Sequence, residues 1–327
     1  MADGIRIGTR GSGLARVQAT WVADQLRRFG HDVVVEIMST RGDARRDVPI
    51  ARLGRDGVFV RELERGLLDR RIDLAVHSLK DMPTAAVDGL EIGCVPSRAS
   101  PFDAAVCRPG ESFAGLPAGA VVGTSSIRRV VQVKALRPDL EVRPVRGNVD
   151  TRLQKLDAGD YDCLVLAAAG LTRLGLAGRI TSLLEPPDFW PAVGQGALGL
   201  QIRDDDAGLR EAVAPLDDAA AHAAVRAERA CLAELSAGCL APVAGWGRVS
   251  PEGDLVLGVR VFEDAGGSIR QLAAEERAAW FQPDARTLPG DGSLPANLGR
   301  RVAAALLAAG ADQALERMRR KQEESTG

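Results

Sequence analysis

The sequence predicts an α/β protein with parallel sheets covered by helices, followed by a small α+β domain. Short apolar runs alternate with amphipathic segments over roughly the first two hundred residues, which is typical of such sheets. The pattern changes after Asp217, where an alanine-rich helix, an alternating strand and a last helix follow. With 327 residues, 46% of them hydrophobic, the chain is long enough for two or three domains.

Hydrophobic periodicity places the elements of the first α/β unit. Apolar residues recur at helical spacing between residues 14 and 29 and predict a helix there. Its predicted apolar face consists of Leu14, Val17, Trp21, Val22 and Leu26. The other predicted elements are strands at Ile5–Gly8, Val33–Met38 and Ile72–His77 and a helix at Val58–Arg70.

The same alternation begins again after the proline-bounded segment Pro96–Pro101. Strands are predicted at Ala120–Gly123, Glu141–Val145 and Cys163–Ala167, and helices at Ser126–Leu136 and Val149–Asp157. The C-terminal part is predicted to contain helices at Ala219–Leu235 and Leu298–Arg319, a strand at Leu255–Phe262 and a surface loop at Phe281–Pro295.

Acidic and basic residues are almost equal in number, but nearly all of the basic residues are arginines. The net charge is −2, and 38 arginines stand against only four lysines. A near-neutral chain argues against general nucleic-acid or membrane-surface binding, which needs a basic surplus. The arginine excess is either a compositional habit or a need for planar donors that bind carboxylate or phosphate.

The few metal-binding and thiol side chains restrict the function further. Three histidines and no CxxC motif give little support for a metal site. Five cysteines in a chain without a signal-peptide pattern indicate reduced thiols in the cytoplasm. No apolar run approaches the ~20 residues of a membrane-spanning helix.

Two glycine-containing turns each connect a predicted strand to a predicted helix. The first, Gly8–Leu14, contains Arg10 and Ser12, and the second, Gly123–Arg129, contains three hydroxyls and two arginines. Free amides at such a turn favour an anion, although a simple capped turn explains the first equally well. Two such turns on similar units suggest a cleft for a polyanionic ligand.

Two further segments could carry chemistry. Val76–Pro83 contains Lys80 and Asp81 just beyond a strand end, where ligands of open α/β sheets bind; an exposed Lys–Asp turn is the alternative. His77 in the same segment is expected to be a packed strand residue. Cys239 lies beside a glycine in a loop, where a thiol can be exposed enough to react.

These segments together resemble the hydroxymethylbilane synthase family, also called porphobilinogen deaminase. The matching motifs cover about residues 1–245 and are Thr9–Ser12, Thr40–Asp43, Phe59–Glu64, Asp73–Pro83, Val122–Arg129, Arg146–Val149, Thr151–Leu153, Leu164–Leu176, Pro191–Ala197, Ala227–Arg229 and Gly238–Cys239. The resemblance implies two periplasmic-binding-protein-like domains with mixed, mainly parallel sheets and a small α+β C-terminal domain. It places domain 1 at 1–98 and 196–216, domain 2 at 99–195 and domain 3 at 217–327.

The resemblance also implies a transferase reaction of tetrapyrrole (haem) biosynthesis. Four porphobilinogen molecules condense head to tail into hydroxymethylbilane, with release of ammonia at each addition. A dipyrromethane cofactor, joined to Cys239 by a thioether, primes the chain, and Asp81 is the catalytic carboxylate. The residues implied to bind the substrate and cofactor carboxylates, or to support that binding, are Arg10, Ser12, Gln18, Lys80, Thr124, Ser125, Ser126, Arg128, Arg129, Arg146, Arg152, Arg173 and Gln195. A cytoplasmic monomer without a metal, nucleic acid or membrane partner is expected.

Two other functions remain open from the residues alone. A periplasmic-type solute receptor would also have two α/β units with anion-binding turns, but it would carry no covalently attached cofactor. A regulatory effector-binding domain usually comes with a helix-turn-helix, whereas this chain enters a strand pattern almost at once.

Overall fold

The computed structural model describes residues 4–38, 60–238, 241–280 and 294–324. The strands are β1 (Ile5–Arg10), β2 (Val33–Met38), β3 (Leu74–Ser78), β4 (Leu90–Cys94), β5 (Asp103–Cys107), β6 (Val121–Gly123), β7 (Glu141–Arg143), β8 (Cys163–Ala167), β9 (Ser182–Leu184), β10 (Leu198–Arg203), β11 (Val243–Val249), β12 (Asp254–Asp264) and β13 (Ile269–Ala279). The α-helices are α1 (Gly13–Arg28), α2 (Arg61–Leu68), α3 (Ile127–Leu136), α4 (Val149–Asp157), α5 (Ala168–Arg173), α6 (Ala207–Val213), α7 (Ala219–Glu234), α8 (Leu294–Ala308) and α9 (Ala311–Glu324).

The described residues group into two compact units. The first contains the described residues up to 99 together with 196–222, and the second contains 100–195 and the rest. The three-domain division expected from the sequence stays a prediction.

The first unit is built on a sheet with strand order β2-β1-β3-β10-β4. The pairings of β1 with β2 and β3 are parallel, whereas β10 is antiparallel to both of its neighbours. The chain therefore returns to this sheet at Leu198, just over a hundred residues after β4 ends at Cys94.

Helix α1 covers this sheet with a face that matches the predicted one only in part, since Val22 and Leu26 are buried as predicted. Val17 and Trp21 are about two-fifths exposed, at 39% and 41%. The buried stripe is formed by Gln18, Ala19, Val22, Ala23 and Leu26. The small alanines let the helix approach the sheet closely. The predicted face was chosen from the large apolar residues and therefore left the alanines out.

The second unit contains a sheet with strand order β7-β6-β8-β5-β9. Here β6 is parallel to β7 and β8, and β5 is antiparallel to β8 and β9. The described part of each five-stranded sheet thus has two parallel and two antiparallel pairings. This confirms the mixed α/β fold class. The antiparallel share is larger than the strand–helix alternation indicates, because β10 runs against β3 and β4, and β5 runs against β8 and β9.

An antiparallel sheet, β11-β12-β13, completes the second unit. Its core combines Ala227 of α7, Leu257 of β12 and Val302 of α8 with Ala314 of α9. The predicted C-terminal helix is in fact two helices, because Gly310 between them has a φ of 90°, a left-handed conformation that ends a helix.

No helix within the described ranges is both long and apolar enough to cross a bilayer. The Phe281–Pro295 loop prediction falls almost wholly outside the described residues, as does the Thr40–Asp43 motif.

Candidate active site

The predicted residues of the first unit lie at the carboxyl edge of its three parallel strands. Arg10 ends β1, and Lys80 and Asp81 lie in the single 3-10 turn that follows β3. Because parallel strands end at the same edge of a sheet, these residues converge there. Lys80 is half-buried, and Asp81 is exposed.

Ser12 and Gln18 support this edge from helix α1. Ser12 is the N-cap of α1, and its Oγ accepts a hydrogen bond from the Ala15 amide at 3.3 Å. Gln18 is 4% exposed, and its Nε2 lies 3.0 Å from Ser78 Oγ at the end of β3. The Gln18–Ser78 contact therefore fixes α1 against the strand that leads into Lys80 and Asp81.

His77 is a packed strand residue, as expected. It is 5% exposed, and its Nε2 lies 2.9 Å from Oε1 of Gln201 in the adjacent strand β10. Its ring is therefore engaged within the sheet.

The second unit carries a hydroxyl-rich turn between β6 and α3. Thr124 is buried, and its Oγ1 accepts a hydrogen bond from the Ser126 amide at 3.2 Å. Ser125 Oγ donates to the Val145 carbonyl at 2.7 Å. Gly123 precedes the turn, where a Cβ would lie 2.5 Å from Leu164 Cδ2, so a larger residue would push the turn away from β8.

Arg128 and Arg129, in the first turn of α3, share one buried carboxylate. Arg128 Nη1 lies 2.7 Å from Asp103 Oδ2, and Arg129 Nη2 lies 2.6 Å from Asp103 Oδ1. Arg128 also donates to the Trp190 carbonyl at 2.6 Å, and Arg129 to the Val165 carbonyl at 2.9 Å. Two guanidinium groups against one carboxylate leave this group of three with a formal charge of +1.

Gln195 closes the group from the loop before β10. Its Nε2 donates to Asp103 Oδ1 at 3.0 Å and to the Pro101 carbonyl at 2.7 Å. The buried carboxylate of Glu228 anchors the same loop, accepting from the Gly194 amide at 2.6 Å and from the Gly247 amide at 2.7 Å. A buried acid that satisfies two backbone amides fixes a loop firmly.

Burial and the two arginines shift the pKa of the Asp103 carboxyl. Burial acts to raise the pKa of the Asp103 carboxyl, but the charges of Arg128 and Arg129 outweigh it and lower that pKa to about 2. Asp103 is therefore ionised at neutral pH.

Three more predicted arginines belong to the second unit. Arg146 is exposed and follows β7, and Arg152 Nε in α4 donates to the Gly147 carbonyl at 2.8 Å. Burial lowers the pKa of Arg173, at the end of α5, to about 10, so it remains cationic at neutral pH. Since β6, β7 and β8 are parallel, Arg146 and Arg173 follow strands that end at the same sheet edge as the Thr124–Ser126 turn.

The structure thus brings Arg128, Arg129 and Gln195 together around Asp103, a residue that the sequence analysis missed. Asp103 begins β5, opposite Ala167 at the end of β8. Its only sequence signal is an acid directly before the apolar run Ala104–Val106. Cys239 lies outside the described residues.

Asp103→Asn is expected to lower the free energy of unfolding by about 3 kcal/mol at pH 7, since two buried cations lose their counter-charge. The folded pKa of about 2 lies below the ordinary value of 3.8. The ionised carboxylate therefore makes its full contribution to the free energy of unfolding above about pH 4, and this contribution is lost as the pH falls through 2. The difference between wild type and variant should shrink by roughly 2 kcal/mol from pH 5 to pH 2.

Urea unfolding followed by circular dichroism, down to the lowest pH at which both proteins fold, measures this difference. Asp139→Asn, which removes a surface carboxylate paired with Arg137, is the control and should change stability little. If the difference in the free energy of unfolding between wild type and Asp103→Asn were the same at every pH, Asp103 would not be ionised in the folded protein.

Comparisons with known proteins agree with the resemblance. Residues 5–211 match the family model described as porphobilinogen deaminase, dipyromethane cofactor binding domain. A porphobilinogen deaminase from Syntrophobacter fumaroxidans is 44% identical over 318 residues, covering 97% of this chain and 98% of the relative. Another, from Desulforudis audaxviator, is 47% identical over 315 residues, covering 96% and 97%.

Among solved structures, an ABC transporter periplasmic substrate-binding protein from Coxiella burnetii aligns with 65% of this chain and 91% of its own, at 15% identity and a TM-score of 0.41. The family model spans more than half of the chain, and the two relatives are matched over nearly their full length. The chain therefore belongs to the porphobilinogen deaminase family.

Proposed function

We propose that this chain is a hydroxymethylbilane synthase, which condenses four porphobilinogen molecules head to tail and releases ammonia at each addition. The observation that carries the proposal is the match, at 44–47% identity over nearly the whole chain, to two relatives named porphobilinogen deaminase. The basic and hydroxyl side chains at the carboxyl edges of both five-stranded sheets support it.

The described residues fit a carboxylate-rich cofactor. Each pyrrole of a dipyrromethane carries an acetate and a propionate group, so two rings bring four negative charges. Asp103, Arg128 and Arg129 together are cationic, and Arg173 stays charged despite its burial. Arginine suits this task because its guanidinium binds a carboxylate through two parallel hydrogen bonds.

Carboxylate binding is assigned to the two strand–helix turns and their surroundings. In the first unit Arg10, Ser12 and Lys80 supply donors, and Gln18 holds Ser78 in place. In the second unit the donors or their supports are Thr124, Ser125, Ser126, Arg128, Arg129, Arg146, Arg152, Arg173 and Gln195. Helix α3 adds the positive end of its dipole beside the hydroxyl turn.

Asp81 is the proposed catalytic residue. It is an exposed carboxylate at the end of β3, with Lys80 beside it as a compact cation. Loss of ammonia from porphobilinogen places positive charge on the pyrrole, and a carboxylate facing the ring nitrogen stabilises that charge and accepts or returns its proton.

Cys239 is the proposed attachment point of the cofactor, through a thioether. When bound, the dipyrromethane supplies the ring carbon to which the first substrate is added. A thiolate is the side chain whose nucleophilicity suits such a bond near neutral pH.

The protein is further proposed to be a transferase that works as a cytoplasmic monomer. The four cysteines within the described residues are free thiols, which agrees with a protein in a reducing compartment. Sedimentation equilibrium of the purified protein tests the monomer.

Purified protein mixed with porphobilinogen tests the function. Consumption of substrate, release of one ammonia per addition and formation of a linear tetrapyrrole are expected. The intact mass should also exceed the sequence mass by two pyrrole units when the protein comes from cells that make porphobilinogen. An unmodified mass without turnover would instead favour a solute receptor, which needs no covalent group.

Arg128→Leu is expected to raise the KM for porphobilinogen by roughly tenfold or more, or to block cofactor assembly, because a charged donor to carboxylate is lost. Steady-state kinetics and the intact mass report the two outcomes, and the melting temperature reports any loss of the Asp103 contact. Arg28→Leu, at an exposed arginine near the end of α1, is the control. Wild-type KM and adduct in Arg128→Leu would remove this arginine from the site.

A further inference from the structure

Two cysteines face each other across adjacent strands of the second sheet. Cys107 is the last residue of β5, Cys163 is the first residue of β8, and the antiparallel register places them directly opposite. Both belong to the same apolar core on one face of the sheet. Their side chains therefore point to the same side and meet.

The hydrogen-bond pattern defines the kind of pair they form. The Arg108 amide donates to the Asp162 carbonyl at 3.4 Å, and the Ala168 amide donates to the Phe102 carbonyl at 3.1 Å. Arg108 lies opposite Asp162, one residue beyond the cysteine pair, and Phe102 lies opposite Ala168, five residues before it. Both bonded pairs are therefore an odd number of residues from the cysteine pair. Since hydrogen-bonded and non-hydrogen-bonded pairs alternate in an antiparallel ladder, the two cysteines occupy a non-hydrogen-bonded position.

This position brings the two residues within reach of a covalent bond. Opposed residues at non-hydrogen-bonded positions have Cα atoms about 4.5 Å apart, closer than hydrogen-bonded pairs. Disulfides span Cα separations of about 4.4–6.8 Å. The backbone therefore needs little adjustment to accept an S–S bond here.

The thiols also differ in reactivity. A hydrogen bond with Cys163 lowers the pKa of Cys107 to about 7, against the opposing effect of burial, whereas the same contact and burial raise the pKa of Cys163. Cys107 is 4% exposed and Cys163 is fully buried. Cys107 is next to the partly exposed Arg108, at the end of the strand, where a small oxidant has the shortest path.

We propose that Cys107 and Cys163 are an oxidative modification site, at which hydrogen peroxide converts the two thiols into a reversible cross-strand disulfide. The Cys107 thiolate attacks the peroxide oxygen and becomes a sulfenic acid, and water leaves once a proton is taken up. The Cys163 sulfur then attacks the Cys107 sulfur and loses its proton, and the hydroxyl group departs as a second water. In balance, two thiols and one hydrogen peroxide give one disulfide and two waters.

The bond would close a long loop without touching the proposed donors. Residues 107 to 163 include β6, β7, α3 and α4, so the cross-link removes much freedom from the unfolded chain. Asp103 lies at the opposite end of β5, four residues away. Oxidation should therefore raise the melting temperature while leaving the Asp103 group intact. This inference does not depend on the proposed function.

Mass spectrometry of the whole protein tests the site. Wild-type protein is treated with hydrogen peroxide and then denatured in the presence of iodoacetamide, which alkylates the remaining thiols. The alkylated protein is digested with trypsin. Cys107 falls in the peptide 99–128, because the Arg108–Pro109 bond resists trypsin, and Cys163 falls in the peptide 156–173. Each peptide contains one cysteine, so a disulfide between them gives a single cross-linked mass.

The expected result is that cross-linked peptide, two fewer alkylated thiols, a higher melting temperature and reversal of all three by dithiothreitol. Cys107→Ser should abolish the cross-link, whereas Cys231→Ala, which removes a buried thiol on α7, should keep it. Alkylation of both cysteines after peroxide, their separate conversion to sulfinic or sulfonic acids, or a cross-link to another cysteine would each overturn the proposal.

Discussion

Asp81→Asn is expected to retain the dipyrromethane adduct and to lose turnover by roughly a hundredfold or more, the usual effect of removing a proton-transferring carboxylate. Asparagine keeps the shape of the side chain but carries no charge and accepts no proton. Asp81 is exposed in a short turn after β3, so the exchange leaves the fold intact. Turnover of porphobilinogen and the intact mass of the same preparation are the two measurements.

Asp88→Asn is the matched control for Asp81. Asp88 is also an exposed acid of the first unit, so its loss changes the net charge equally. It should turn over substrate at the wild-type rate. Near-normal turnover in Asp81→Asn would remove Asp81 from its catalytic role. Loss of the adduct in that variant would show that it acts in cofactor assembly instead.

Cys239→Ser is expected to lack the adduct and to have no turnover above background. A serine hydroxyl ionises far less readily than a thiol and forms no thioether. The intact mass should equal the sequence mass, and the melting temperature should fall because a bound group that stabilises the native state is absent.

Cys231→Ala controls for the loss of a cysteine. Burial raises the pKa of Cys231 to about 12, so this thiol stays protonated and inert. The variant should keep both adduct and turnover. An adduct that persists in Cys239→Ser, or disappears in Cys231→Ala, would place the attachment elsewhere.

Local patterns predicted the elements that local interactions determine. The helix at 149–157 and the strands at 33–38 and 163–167 have the predicted bounds, because each combines a clear period with turn residues at its ends. The Lys80–Asp81 turn was also predicted correctly at a strand end. Strand β5 was missed, because its short apolar run after a proline-bounded segment gives no period of its own.

The environment of Arg128 and Arg129 could not be predicted in the same way. Both were expected at a carboxylate site, and both contact Asp103, 25 and 26 residues earlier in the chain. That pairing depends on β5 entering the sheet antiparallel beside β8, which is a long-range property. Their role in binding substrate carboxylates stays a prediction.

The return of the chain at Leu198 has a consequence for biosynthesis. When residues 1–99 have emerged from the ribosome, strands β1 to β4 are available for folding. Strands β3 and β4 nevertheless lack the strand that lies between them, β10, until it emerges much later. The second sheet, by contrast, draws all its described strands from the contiguous stretch 103–184. The middle of the nascent polypeptide should therefore fold before its beginning, and the early segment would depend on chaperones in the interval.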